Sequence, residues 1–225
     1  MRIHAPAGSE RIPRVEGAQS WPARVATVAV YALAMGYVEA AAVIYLRQLF
    51  TTFGALSSLQ TMGRIEAGRE AATMVMLATI ALLADRRWRR WLAYFALAFG
   101  VWDIAYYLFY HLLVGWPSGL GSWDELFLLP VPWFGPVWAP MVVSLVLIAF
   151  GLRVLASLPP LRSWQWAALG LGAVLAYLSF TVQFHPGRGL TGAGTSPDFL
   201  WPPFVLGAAV ALVALGAGIR RESGA

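Results

Sequence analysis

Hydrophobic residues form six long runs along the chain, and each run contains few or no charges. The runs cover residues 22–46, 66–84, 91–114, 134–152, 163–184 and 198–219. A helix needs about 20 apolar residues to cross the hydrocarbon layer of a bilayer. The pattern therefore predicts an all-α fold, a polytopic membrane helix bundle with six transmembrane helices.

The connections between the runs leave no room for a separate soluble domain. We predict a single transmembrane domain over residues 21–221, preceded by a flexible cytoplasmic tail over residues 1–20. Residues 47–64 are expected to form an outer loop. Residues 115–136 form a longer outer loop whose prolines exclude a long helix. Its Trp116, Trp123 and Trp133, with Trp138 beyond it, suit the headgroup layer. This loop is therefore expected to be a structured cap, in part re-entrant.

Arginine is distributed unevenly between the two ends of the predicted helices. All 16 basic residues are arginine, and 12 of them lie at one end, with Arg47, Arg64, Arg69 and Arg188 at the other. The positive-inside rule then places both termini in the cytoplasm. The net charge of +5 thus reflects topology. We expect the lipid bilayer as partner, with a homo-oligomer or other membrane subunits as alternatives, and no nucleic acid.

Two missing residue types exclude several cofactors. The chain has no Cys, which removes thiolate metal ligands and the covalent attachment of c-type haem. It also has no Lys, which removes a retinal or pyridoxal Schiff base.

Carboxylates interrupt three of the apolar runs. Measured along straight helices from the arginine-rich ends, Glu39, Glu70 and Asp103 lie at a similar depth of roughly 20–22 Å. A charged group at that depth is costly, so it normally faces a partner, a cavity or a proton path. Ala32, Gly36 and Ala40, four residues apart, let another helix approach the first one closely. Glu39 neighbours this stripe, so it is expected to face protein.

Further polar residues lie above this level. Asp103, Tyr107 and His111 recur every four residues and form one line along the third helix. If the first three helices are neighbours, the polar groups converge on a pocket open to the outer face. Its predicted lining is Glu39, Glu66, Arg69, Glu70, Asp103, Tyr107, His111, Asp124 and His185.

Four interpretations of this pocket are open. The residues can be structural, hydrogen-bonding the helices together. They can bind a divalent metal ion or another cation, with Glu39, Glu70, Asp103 and His111 as ligands. They can form the proton or cation path of a small transporter. Finally, the protein can be a subunit of a larger membrane complex, with His111 and His185 holding a b-type haem, or with a quinone groove.

Four strings of the sequence carry a resemblance to a known group of proteins. GYVEAAAVIYLR, GREAATMVMLA, FGVWDIAYY and GWPSGLGSWDELFLLPVPWFGPVWAP resemble a group of small bacterial multi-spanning membrane proteins. The resemblance covers about residues 36–147 and implies a helical fold and a membrane location. It assigns no activity and no catalytic residue.

Overall fold

The part of the chain that the structure describes contains six helices, and the predicted all-α helix bundle is confirmed. The computed structural model describes residues 20–53, 59–156, 160–182 and 199–217. Within these residues the helices are α1 (Trp21–Phe53), α2 (Leu59–Ala84), α3 (Trp88–Val114), α4 (Trp138–Leu155), α5 (Ser163–Thr181) and α6 (Trp201–Gly216). Four of them, α1 to α4, contain a segment long and apolar enough to cross a membrane. The α6 helix is apolar but shorter.

The first two helices are longer than the hydrophobic pattern predicts. Helix α1 continues to Phe53 and α2 begins at Leu59. The prediction of an outer loop over residues 47–64 is therefore wrong for most of that segment. No proline or glycine interrupts the chain between Arg47 and Phe53, so the helix continues after the apolar run has ended.

A β-hairpin occupies the long connection between α3 and α4. Strand β1 (Trp123–Phe127) pairs antiparallel with β2 (Trp133–Pro136), and Asp124 lies opposite Gly135. The predicted structured cap thus has a defined architecture. The fourth helix begins at Trp138, four residues later than predicted, because residues 133–136 belong to the hairpin.

Helix α3 lies at the centre of the bundle and packs against α1, α2 and α4. Small residues permit the close contacts. A Cβ atom added at Gly36 of α1 would lie 2.6 Å from the Ala105 Cβ atom of α3. A Cβ atom added at Gly100 of α3 would lie 2.6 Å from the Ser144 carbonyl oxygen of α4. The predicted small-residue stripe is therefore a helix interface.

Helices α5 and α6 pack against each other, and α6 also contacts α4. Gln165, near the start of α5, donates hydrogen bonds to backbone carbonyl groups at the end of α6. Its side-chain Nε2 donates to the carbonyl oxygens of Ala214 and Ala217, at 2.6 and 3.0 Å. These are terminal carbonyls that lack partners within their own helix, so the contact fixes the register between the two helices.

Large apolar side chains cover the outside of the bundle. Leu83, Leu112 and Val213 are 67–74% exposed, and similar residues project from every helix. Such a surface is unfavourable in water and favourable against lipid tails. Composition, helix length and surface together define a membrane protein.

The loop tryptophans do not simply form a belt at the headgroups. Trp116 packs on Tyr110, with ring centroids 4.6 Å apart, and Trp133 packs on Tyr177 at 5.0 Å. Trp138 stacks on Trp201 at 4.3 Å. Each ring is half-buried between elements, so these residues fix the hairpin and the ends of the helices to one another.

Gly36 provides a test of the α1–α3 contact. Alanine has the higher helix propensity by about 1 kcal/mol, but its Cβ atom does not fit at position 36. We expect Gly36→Ala to lower the free energy of unfolding by about 1–3 kcal/mol. Gly68→Ala is the matched control, because nothing lies within 4 Å of an added Cβ atom there, and it should be neutral or stabilising. Equal effects in detergent unfolding experiments would contradict this packing.

Candidate functional site

A cluster of ionisable side chains lies where the end of α1, the start of α2, the end of α3 and the hairpin meet. We call it the carboxylate cluster. Its members are six acids and two arginines, namely Glu39, Glu66, Glu70, Asp103, Asp124, Glu125, Arg47 and Arg69. Each element contributes at least one of these residues, so the bundle must be assembled before the cluster exists.

Arg69 links α2 to α1. Its guanidinium forms an ion pair with Glu39, and its Nε lies 3.1 Å from an oxygen of Glu66. The second oxygen of Glu39 accepts a 2.9 Å hydrogen bond from the Thr73 hydroxyl. Glu39 is 4% exposed, so this carboxylate has lost its water and depends on these partners.

Glu70 links α2 to the hairpin. Its carboxylate accepts hydrogen bonds from the backbone N–H groups of Leu128 and Leu129, at 2.9 and 3.3 Å. These two residues follow β1, where the chain turns and the strand ladder has ended. A partly buried backbone N–H group that has no partner in the strand ladder needs another acceptor. Glu70 therefore accepts the hydrogen bonds that these N–H groups of the hairpin turn do not make within the hairpin.

Asp124 links the hairpin to α1 and α3. Its two oxygens lie 3.3 Å from Arg47 Nη2 and 3.1 Å from the Tyr107 hydroxyl. The Arg47 guanidinium also lies over the rings of Tyr110 and Trp116 at 5.3 and 5.2 Å. Burial raises the pKa of Asp124, and the charge of Arg47 and the Tyr107 hydrogen bond partly oppose that shift.

Asp103 links α3 to α4. Its Oδ2 accepts a 2.8 Å hydrogen bond from the Ser144 hydroxyl, and both residues are buried. A single neutral donor compensates little of the cost of burying a negative charge. This position is thus a polar contact between two apolar helices.

Glu125 differs from the other acids of the cluster. Its Oε1 is buried and has no hydrogen-bond partner among the described residues. Burial and the neighbouring acids Asp124, Glu70 and Glu66 raise its pKa to about 7, while Arg47 opposes the shift. Glu125 therefore changes its charge within the physiological pH range.

The cluster contains more negative than positive groups. Six carboxyl groups and two guanidinium groups leave four carboxyl groups in excess. Like charges at short range disfavour simultaneous ionisation. Simultaneous ionisation of all six acids therefore requires protons or other cations to offset part of their charge.

The predicted metal ligands do not form a common site. Glu39, Glu70 and Asp103 have the separate partners described above. His111 is exposed, and its Nδ1 lies 2.9 Å from the Pro117 carbonyl oxygen. Among the residues that the structure describes, no group of three or more His, Asp or Glu side chains could hold a metal ion. The metal interpretation therefore receives no support.

The remaining predicted residues divide into two groups. Glu66, Arg69, Tyr107 and Asp124 belong to the cluster or bond to it. His185 lies outside the described residues, so the predicted haem pair with His111 gains no support.

Sequence reasoning missed four partners in the cluster. Arg47 was assigned to a loop, and Thr73, Ser144 and Glu125 were not singled out. Two signals were available: Thr73 follows Glu70 by three residues, and Glu125 follows Asp124 directly. Ser144 gave no signal, because hydroxyl groups are common in apolar helices.

Comparison with known proteins gives the site no family context. Neither protein-family models, nor curated proteins, nor solved structures match the chain. Fold and site together define a helical membrane protein with a buried carboxylate cluster under a hairpin.

The pairing of Glu39 with Arg69 can be tested by a double-mutant cycle. Arg69→Gln leaves Glu39 buried without its cation, and we expect a loss of about 3–5 kcal/mol in the free energy of unfolding. The double variant Glu39→Gln/Arg69→Gln removes both charges and should recover much of this loss. Chemical unfolding in mixed micelles measures the coupling. Strictly additive losses would show that the two side chains do not stabilise each other.

Proposed function

We propose that the chain is a multi-pass protein of the bacterial cytoplasmic membrane, with its arginine-rich end and both termini in the cytoplasm. The distribution of its 16 basic residues, 12 at one end and four at the other, supports this orientation. The four helices of membrane-crossing length support the multi-pass arrangement. In this orientation the carboxylate cluster lies in the outer half of the bundle and the hairpin covers it.

The second part of the proposal is that the cluster binds protons and serves a small proton-coupled cation carrier. The observation that carries it is the buried, unpartnered Oε1 of Glu125 beside Glu66, Glu70 and Asp124. A carboxyl group in this setting releases a proton near neutral pH. The other acids have fixed donors, so Glu125 is the member most free to exchange its proton.

The excess of carboxyl groups indicates the charge of the cargo. Four surplus acids attract cations and repel anions. A divalent metal ion needs several converging ligands, and the described residues offer no group of three. The proposal therefore takes a proton and a singly charged cation as the species that compete for the cluster.

Protonation also acts on the hairpin. Below a pH of about 7, Glu125 is neutral and its repulsion of Glu70 and Asp124 is removed. Above that pH, Glu125 is ionised and the repulsion returns unless a cation is bound. Because Glu70 and Asp124 hold the hairpin to the helices, the charge of Glu125 controls how firmly the cluster is covered.

A structural role in a larger membrane assembly is the second candidate. The observation that favours it is that Glu39, Glu70, Asp103 and Asp124 each connect two different elements. In that case the cluster holds the bundle together, and the exposed apolar faces bind lipid or other subunits.

Two measurements on the purified full chain test the proton-binding proposal. Infrared difference spectroscopy should detect a carboxyl group that titrates near pH 7, and Glu125→Gln should remove it. Proteoliposomes containing a trapped pH dye should show cation-dependent proton movement that is abolished in Glu125→Gln.

Two control variants sharpen the test. Glu125→Asp keeps a carboxyl group and should retain part of the flux. Asp85→Asn removes an acid at the opposite end of the bundle and should leave the infrared titration unchanged. A wild-type protein without flux, in which cluster variants lower only thermal stability, would contradict the carrier and favour the structural candidate.

A further inference from the structure

A second charged site lies at the opposite end of the bundle, where α1 begins, α2 ends and α3 begins. It is a cleft of about 490 Å³, which lies within the usual range of roughly 300–1,000 Å³ for small-molecule sites. We call it the arginine cleft. Its lining consists of Arg24, Leu82, Leu83, Ala84, Asp85, Arg86, Arg87 and Arg90.

One acid organises the arginines of this cleft. The side chain of Asp85 is 12% exposed. Its Oδ2 lies 2.9 Å from Arg90 Nε and 3.9 Å from Arg24 Nη1. Arg24 Nη1 also donates to the Ala84 carbonyl oxygen at 3.1 Å. Asp85 Oδ1 accepts the backbone N–H of Arg87 at 3.0 Å, which fixes the turn before α3. The wall of the cleft is therefore preorganised.

The charges of the cleft are unbalanced. Four arginines face one aspartate, which leaves three positive charges in excess. The side chains of Arg86 and Arg87 are exposed, and neither has an ion-pair partner among the described residues. The positive end of the α3 dipole lies at the same place, because α3 begins at Trp88. Among the described residues that line the cleft, this positive excess favours an anionic ligand.

The apolar part of the lining indicates the source of that anion. Leu82 and Leu83 are 46% and 74% exposed, and both belong to the apolar segment of α2 that is long enough to cross a membrane. A ligand that fills the cleft would place its anionic group on the arginines and its apolar part along these leucines. A free inorganic anion would use only the first of these surfaces.

We propose that the arginine cleft binds the phosphate group of an anionic phospholipid, with the acyl chains lying against Leu82 and Leu83. Basic pockets between membrane helices bind such headgroups by charge and hydrogen bonds, and arginine matches phosphate geometry in a bidentate manner. The proposal is independent of the carboxylate cluster. It identifies a specific lipid position rather than a general attraction to the bilayer.

Native mass spectrometry of the full chain in detergent tests this site. The probes are short-chain phosphatidylglycerol, short-chain phosphatidylcholine and inorganic phosphate, each added at matched concentrations. We expect one phosphatidylglycerol molecule to bind more tightly than phosphatidylcholine. Arg86→Gln should weaken that binding about fivefold, and Arg86→Gln/Arg87→Gln about 25-fold.

Arg89→Gln is the matched control, because Arg89 lies in the same segment but outside the lining of the cleft. Its guanidinium lies 5.2 Å from the centre of the Trp88 ring. Unchanged melting temperatures of the variants will show that they fold. Equal losses in Arg86→Gln and Arg89→Gln, or equal binding of the two lipids, would overturn the proposal in favour of general surface charge. Inorganic phosphate that binds as tightly as phosphatidylglycerol would overturn the lipid as ligand.

Discussion

Ionised groups and backbone amides inside this bundle have no water to bind, so each depends on a partner supplied by another element. Glu39 relies on Arg69 and Thr73, and Glu70 relies on the backbone of the hairpin turn. The dependence is mutual, because the N–H groups of Leu128 and Leu129 in the turn find their acceptor in Glu70. The fold of helices α1 to α4 around the hairpin follows from satisfying these groups together.

The carboxylate cluster is both a structural and a chemical feature, and Glu125 separates the two roles. Four of its acids, Glu39, Glu70, Asp103 and Asp124, each connect two elements, so replacing one of them removes a structural contact as well as a charge. Glu125 has no such partner at Oε1 among the described residues, so its proton can exchange there without breaking a hydrogen bond between elements. Membrane proteins commonly place such groups on ion and proton paths.

The sequence predicts well where the helices lie along the chain. It predicts poorly where they end and which side chains pair between them. Apolar runs locate α3 and α5 closely, because caps and charges bound them. The ends of α1 and α2 were missed, because helix formation continues through residues 47–53 after hydrophobicity falls. The strands of the hairpin were missed, because short segments such as Trp123–Phe127 have no strict alternation and lie among prolines.

The sequence indicates the depth of the candidate site residues along their helices, but it does not indicate how they pair. The depth of Glu39, Glu70 and Asp103 can be calculated from the sequence, because it needs only the number of residues from the helix end and the rise per residue. The pairing of side chains between elements depends on the rotation of each helix about its axis and on the path of the hairpin. Residue spacing along the chain does not determine either of these. His111 illustrates the difference: it continues the line of Asp103 and Tyr107 along α3, yet it lies beyond the buried part of the helix.

Hydrogen exchange at the hairpin turn tests most directly whether a buried carboxylate holds this cap. In Glu70→Ala, the amides of Leu128 and Leu129 lose a charged acceptor, and their exchange should accelerate about ten- to a hundredfold. Glu66→Ala changes a residue one turn away on the same helix and should leave the exchange rates of these two amides unchanged. Neither variant should change the exchange rates of the amides of α4. Unchanged exchange in Glu70→Ala, or equal acceleration in both variants, would contradict the account.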